Sequence, residues 1–293
     1  MELEELSQIE IGENGIIEEI EPPAPGIYHD MPAAQYHKIR GASASRLKIL
    51  RRSPAHLRYA MLHPAPPTEA MIIGSAVHCR ILEPDRFSRE YAIMPKFDRR
   101  TKIGKEAAAH FEIENLGKQI CGEETAIICE MLYDSLHANP IVSRLLDAPG
   151  NVEASIFWED PETGIRCKAR ADKLLEIGGE YVTLDLKTTV HAGAGEFARQ
   201  AFNLGYHIQS GFYLDGLTQT LGIPHSDFIF LAAEKEPPFA FASYRLDDEA
   251  VSLGKTEYKF LLDLWKVCEE KQEWPSYSNE IQSLALPAWA YKI

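Results

Sequence analysis

Two apolar-rich runs, RCKARADKLLEI (166–177) and EYVTLDLK (180–187), face each other across Gly178-Gly179 and carry Asp172 on the first, Asp185 and Lys187 on the second. A Gly-Gly pair between two such runs signals a hairpin. Residues i and i+2 of a strand project to the same face, so Asp185 and Lys187 point together while Leu186 enters the other layer. Charges set among apolar strand residues are costly unless something pairs or uses them. The stretch therefore constrains the chain to a sheet that gathers two carboxylates and an ammonium at one spot. Alone, an Asp-x-Lys pair fits an exposed ladder of no consequence equally well. Its surroundings decide.

Those surroundings read as one sheet. VEASIFWED (152–160) is a preceding strand that begins at Glu153, and Pro161 to Gly164 form its turn. A long helix is predicted from about Gly195 to Leu221, with Phe197, Ala201, Leu204, Ile208 and Phe212 at helical spacing. Gln209 and Tyr213 lie four apart on it, hence on one face, with an amide and a phenol suited to phosphate oxygen or water. FIFLAAEK and FAFASYRL supply two more strands, and residues 248–272 a closing amphipathic helix. The tail with Trp274, Pro275 and Trp289 is expected to pack as coil.

Upstream the chain is helical from about 42 to 138. Ser43 or Ser45 caps a first helix in which Lys48, Arg51 and Arg52 share a face, one turn from Ser45. These residues suit contact with phosphate or a DNA end, and a charged solvent face equally. His78 follows Gly74, Ser75 and Ala76 on a buried helix ending near Pro84. A lone histidine is more often a core or surface residue than a ligand, and both readings stay open. Residues 86–100 look irregular, with helices at about 101–112 and 117–138; the basic cluster from Lys96 to Lys105 is a nucleic-acid contact or a solvated loop.

Composition limits the classes. The 293 residues suffice for one substantial core, and 45% hydrophobic with 25% charged residues is ordinary for a globular protein. No apolar run approaches the ~20 residues of a membrane span, and the N-terminus lacks the regions of a signal peptide, so a cytoplasmic protein is expected. Five cysteines, an odd number with no C-x-x-C, argue against a disulfide scaffold or a zinc ribbon. The net charge of −14 is unusual for a nucleic-acid partner. Nine acidic residues, from Glu2 to Asp30, precede the first basic one, Lys38. Residues 1–25 are read as an acidic flexible arm, with a small hairpin around Asn14-Gly15 as a variant, and 26–293 as a single domain.

Carboxylates and a lysine converging on one point suit phosphodiester hydrolysis, where divalent ions activate a water and offset charge on phosphorus. Asp172 and Asp185 fit magnesium's demand for hard oxygen ligands, the carbonyl of Leu186 is available to complete a shell, and Lys187 suits the stabilisation of developing charge.

The strand–hairpin–strand–helix order with D…D-x-K and Q-x-x-x-Y resembles the PD-(D/E)-x-K nuclease superfamily, in its RecB-like branch. The segments SASRLK…RRSPAH, GSAVHCRILEPDRF, TGIRCKARADK, LDLKTT and YHIQSGFY resemble the nuclease domain of the exodeoxyribonuclease VIII (RecE-type) family and its phage-borne relatives, over about residues 38–247. One departure is Ala171 in place of the proline of the superfamily motif. The resemblance implies an α/β fold: a PD-(D/E)-x-K restriction-endonuclease-like core with a mixed central β-sheet flanked by α-helices. It implies an Mg²⁺- or Mn²⁺-dependent exonuclease, with two ions, that degrades linear double-stranded DNA 5′ to 3′ and leaves 3′ tails for a single-strand annealing recombinase. His78, Asp172 and Asp185 become metal-site residues, Lys187 the catalytic lysine, Gln209 and Tyr213 active-site support, and Glu153 a positioning carboxylate. A homo-oligomeric ring around DNA is implied as well. Two other readings are a RecB-like nuclease acting on single strands, and a non-catalytic acidic DNA mimic or scaffold favoured by the charge. The set Asp172, Asp185 and Lys187 argues against the second.

Overall fold

The computed structural model describes residues 19–222, 225, 227–278 and 280–291 of the chain. The postulated Asn14-Gly15 hairpin and most of the acidic arm lie outside them. In chain order the elements are β1 (Gly26–Tyr28), α1 (Ala33–Lys38), α2 (Ala44–Leu50), α3 (Pro54–Leu62), α4 (Glu69–Leu82), α5 (Pro84–Glu90) and β2 (Tyr91–Met94). Next come α6 (Lys102–Glu114), β3 (Gln119–Gly122), α7 (Glu123–Ala138) and α8 (Pro140–Asp147). The remainder is β4 (Gly150–Glu159), β5 (Arg166–Ile177), β6 (Glu180–Thr189), α9 (Ala194–Asn203), α10 (Tyr206–Leu221), β7 (Asp227–Glu234), β8 (Phe241–Tyr244) and α11 (Asp248–Lys271).

Six strands form one mixed sheet in the order β1-β4-β5-β6-β7-β8, in which only β6 and β7 run parallel. A parallel pair needs a long crossover, and α9 with α10 supplies it. Each face of the sheet carries its own apolar layer. On one face Ile156 and Trp158 of β4, Ala169 of β5 and Phe230 of β7 pack with Leu47 of α2, Phe212 of α10 and Trp265 of α11. On the other, Leu184 and Leu186 of β6 and Leu231 of β7 pack with Val77 of α4, Leu132 of α7 and Leu146 of α8. Fully burying a side chain such as Phe212 or Phe230 contributes roughly 1.5–3 kcal/mol. The expected α/β class, a mixed sheet flanked by helices, is what the chain adopts.

Several expected boundaries differ, each for a local reason. The single helix over 195–221 is two, because Gly205 takes a left-handed φ of 66° between α9 and α10, a conformation glycine adopts without steric cost. The stretch read as irregular holds α5 and β2, and β2 pairs in parallel with β3, so the helix expected from 117 starts at Glu123. The break between α2 and α3, by contrast, falls at Ser53-Pro54 as the sequence leads one to expect: Ser53 caps α3, accepting from His56 N–H with Pro54 in the first turn. The last described part of the acidic arm lies against the body: Glu19 pairs with Arg46 at 2.5 Å and Ile20 bridges Ile39. In the tail, Trp274 packs edge-on against Trp265 and residues Ala288–Tyr291 make a 3-10 turn.

Candidate active site

The site lies where the sheet forks. The β5–β6 ladder runs from Ile177 opposite Glu180 to Lys173 opposite Leu184 and stops there. Beyond that point β5 continues beside β4, and β6 continues beside β7 to Thr189. Asp172 and Asp185 are the next residues on the two parting strands. The gap is bridged by one hydrogen bond, Leu186 N–H to Asp172 Oδ2 at 2.7 Å. Leu186 thus meets Asp172 through its backbone, and its side chain is buried in the second apolar layer.

On the other side of β5, the β4 ladder pairs Val152 with Lys173 and Ala154 with Ala171 and skips the pair between them, Glu153 and Asp172. Glu153 has a φ of 54°, in the left-handed region that non-glycine residues seldom occupy. The pleat inverts here: Cys167, Ala169 and Ala171 face the first layer, but so does Leu174, while Leu175 faces the second. The kink turns Glu153 toward Asp172. The Arg170 guanidinium holds Glu153 by an ion pair and also donates to Ser155 Oγ at 2.9 Å and Met31 O at 3.0 Å.

His78 reaches the fork from α4, whose Gly74 sits beside Thr188 of β6 and whose Ala76 and Val77 are buried against the sheet. Its Nδ1 is 3.4 Å from Asp172 Oδ2. His78, Glu153 and Asp172 each present one ligand atom, and these atoms lie within 4.8 Å of one another. Asp185 stands beside this trio with both oxygens engaged. Gln209 Nε2 donates to its Oδ1 at 2.7 Å, and Lys187 Nζ lies 2.5 Å from its Oδ2. Tyr213 donates to Arg170 O at 3.1 Å and accepts Arg170 N–H at 3.4 Å, so it holds the β5 backbone two residues before Asp172.

The charges are tuned by burial and by one another. Burial pushes the Asp172 carboxyl up to about 6; Asp185 and Glu153 add to this, and His78 and Lys187 oppose it. Burial alone would lower Lys187, but Asp185 and Asp172 outweigh it and hold the ammonium above the ordinary lysine value. Burial holds the Tyr213 phenol well above its usual range, so it stays protonated. A carboxyl destabilised by neighbouring carboxylates is what a bound cation relieves. Two carboxylates and an imidazole therefore fit a divalent ion, the oxygens suiting Mg²⁺ and the imidazole transition metals such as Mn²⁺.

The residues of α2 divide. Ser43 caps the helix, accepting from Arg46 N–H at 3.4 Å, and Ser45 is exposed. The helix ends at Leu50, but Arg51 keeps helical geometry with its N–H on Leu47 O, so Lys48 and Arg51 both lie against the junction of α9 and α10 while Arg52 turns away. Arg51 pairs with Glu257 at 3.3 Å and lies over the Phe202 ring. Arg52 donates to Tyr277 Oη at 3.2 Å. Lys48 turns inward, to Gln209 Oε1 at 3.3 Å. Arg170 and Tyr206, whose ring lies below Lys187 at 5.0 Å, escaped the reading of the sequence. An arginine on a strand gives no sign of which carboxylate it will hold.

A mixed sheet that forks at Asp172 and Asp185, with Asp-x-Lys on the second strand, defines a PD-(D/E)-x-K core. The chain matches the family of the PDDEXK-like domain of unknown function (DUF3799) over residues 43–287 and belongs to it. The crystal structure of a candidate exonuclease from Eubacterium rectale is similar in fold, with a TM-score of 0.55 at 12% identity over 90% of this chain and 99% of that one. The crystal structure of SSO0001 matches at a TM-score of 0.32 and 13% identity, over 76% of this chain and 75% of that one. No curated protein is similar in sequence. Among the described residues no helix is long and apolar enough to cross a membrane.

Proposed function

We propose that the protein is a cytoplasmic, divalent-metal-dependent exodeoxyribonuclease. It degrades linear double-stranded DNA 5′ to 3′ and leaves 3′ single-stranded tails for an annealing recombinase. The observation that carries this reading is the pairing of the His78–Glu153–Asp172 trio with the Asp185–Lys187 ion pair at one fork of the sheet. Membership of a PDDEXK-like family supports it; the 5′ to 3′ polarity and a ring of copies around the duplex are what the resemblance of the motifs between Ser43 and Tyr213 to the RecE-type family implies.

His78, Glu153 and Asp172 would hold the metal, with Asp185 beside them. When bound, Mg²⁺ or Mn²⁺ supplies an activated water and offsets charge at phosphorus. The chain's own groups do the rest. Lys187, kept protonated by Asp185 and Asp172, supplies fixed positive charge for the developing phosphorane oxygen. Gln209 fixes the orientation of Asp185 through its Oδ1, and Asp185 in turn fixes Lys187. Arg170 holds Glu153, and Tyr213 holds the strand that carries Asp172.

The test is digestion of linear and circular duplex with Mg²⁺, with Mn²⁺ and with chelator, beside Asp185→Ala and Lys187→Ala. Linear duplex should vanish only with metal, circular duplex should persist, and both variants should be inactive. Duplex labelled at either end reads the polarity. Wild-type protein that leaves linear duplex intact with either metal, or a Lys187→Ala protein as active as wild type, overturns the proposal.

A further inference from the structure

The charges of the site are unevenly matched. The trio of His78, Glu153 and Asp172 carries more carboxylate than cation, the arrangement that invites a metal. Asp185 is matched by Lys187 at 2.5 Å. A second ammonium then stands close by without a counter-charge. Lys48 Nζ donates to Gln209 Oε1, a neutral acceptor, at the long distance of 3.3 Å, and rests 5.2 Å from the centre of the Tyr206 ring. Lys187 lies 5.0 Å from the same ring. Among the described residues no carboxylate lies within ion-pair distance of Lys48, whereas its neighbours Arg46 and Arg51 are paired with Glu19 and Glu257.

The backbone makes room for this lysine. At Gly205, where α9 gives way to α10, an added Cβ would meet Lys48 Cγ at 3.1 Å and Cδ at 3.6 Å. The break between the two helices therefore falls where the stem of Lys48 passes inward. A half-buried ammonium with one neutral partner is held at a cost, because burial and a like charge both disfavour it. Burial and Lys187 draw Lys48 down to about 8, against the pull of Asp185. An anion placed beside it removes that cost.

We infer that Lys48 is a phosphate-binding residue of the catalytic centre, its ammonium receiving a non-bridging oxygen of the DNA phosphodiester next to Gln209 and Lys187. This rests on the reading of the site as one that binds DNA. It places Lys48 inside the site, where it touches substrate, and gives the site two poles, a carboxylate pole for metal and an ammonium pole for phosphate. Gln209 lies between them, with its NH₂ on Asp185 and its carbonyl on Lys48.

Binding of a short blunt duplex is measured by fluorescence anisotropy in chelator, across a range of KCl, for wild type, Lys48→Met and Lys48→Arg. Each phosphate neutralised contributes about 0.9 to the slope of log K against log salt. Lys48→Met should bind more weakly with a slope shallower by about 0.9, and Lys48→Arg should keep the wild-type slope. Thermal melts check folding. Should Lys48→Met not fold, Lys48→Gln removes the charge, keeps a polar partner for Gln209 and is read in the same way. A wild-type slope in the charge-free variant, or wild-type protein that does not bind duplex, overturns the inference. The measurement needs no turnover, so the two proposals separate. A Lys48-dependent slope without degradation sinks the exonuclease and spares Lys48, and degradation with an unchanged slope does the reverse.

Discussion

Asp172 and Leu186 are joined across the fork of the sheet, the Leu186 N–H donating to Asp172 Oδ2 at 2.7 Å where the ladder between their strands has ended. The carboxylate is thus structural on one side and crowded by Glu153 and Asp185 on the other. Asp172→Asn keeps the accepting oxygen and removes the charge. In the metal-free protein at pH 8 it should raise stability by roughly 1–3 kcal/mol, the scale set by a shift of about two pK units, while abolishing nuclease activity. Asp172→Ala strands the Leu186 N–H and should be about 1–3 kcal/mol less stable than Asp172→Asn. Urea denaturation in chelator reads both, and equal stability of wild type and Asp172→Asn would show that the crowding is not felt.

The same carboxyl sets a pH dependence. Its folded value of about 6 lies above the ordinary 3.8, so the folded state binds the proton more tightly than the unfolded chain. The stability this contributes is fully present below pH 3.8 and is lost as pH rises through about 6. Metal-free wild type should therefore gain stability relative to Asp172→Asn between pH 7 and pH 5. Saturating Mn²⁺ should abolish the difference in slope, because the ion takes the proton's place. Denaturation midpoints at each pH decide it; parallel curves in chelator would exclude Asp172 as the group.

Lys187 and Asp185 form a buried ion pair, with Asp185 only 1% exposed. Removing one partner of such a pair leaves an unmatched charge, at a cost of about 3–5 kcal/mol. Lys187→Ala should accordingly lose stability as well as activity. The double variant Asp185→Asn with Lys187→Met has no charge left to strand, and should recover most of the stability and none of the activity. A double variant as unstable as Lys187→Ala would show that packing, not charge, sets the loss.

What could be read in the sequence was whatever depends on spacing. The period of two placed Asp185 and Lys187 on one face and Leu186 on the other, and the apolar runs marked β4 to β7, because burial writes itself into composition. Backbone angles and tertiary reach leave no such mark. Glu153 gives no sign of its left-handed φ, and so none of the kink that aims it at Asp172. Gly205 sits inside an unbroken helical pattern, since both α9 and α10 pack on the same layer. Lys48 looked like part of a basic helix face with Arg51 and Arg52; Lys48 and Arg51 do lie together against the α9–α10 junction, but spacing gives no sign that Lys48 reaches Gln209 while Arg52 turns to Tyr277.

The crossing of α10 and α11 sets how firmly Gln209 and Tyr213 are held. A Cβ at Gly254 would lie 1.9 Å from His207 O, and one at Gly211 2.7 Å from Lys255 N. The two helices touch backbone to backbone at the level of Gln209. Overpacking a close contact commonly costs about 1–3 kcal/mol, sometimes more, and here the obstacle is backbone that cannot rotate away. Gly254→Ala should be destabilised by about 3 kcal/mol or more and lose activity through displacement of Gln209. A thermal melt within a few degrees of wild type would show that the helices separate cheaply.

Glu153 carries two separable properties, a strained backbone and a carboxylate. A non-glycine residue in the left-handed region costs about 1–2 kcal/mol, and at φ 54° Glu153 is in it. Both Glu153→Gly and Glu153→Ala delete the carboxylate, and in each Arg170 keeps its bonds to Ser155 and Met31. They differ in the backbone, since glycine accepts this φ and alanine does not. The glycine variant should be the more stable by about 1 kcal/mol, with the same loss of Mn²⁺ affinity in both, measured by calorimetric titration. Equal stabilities would mean that the kink at residue 153 relaxes when its side chain is gone. Wild-type Mn²⁺ affinity in both would remove Glu153 from the metal-binding set and leave the bend in β4 as its only contribution.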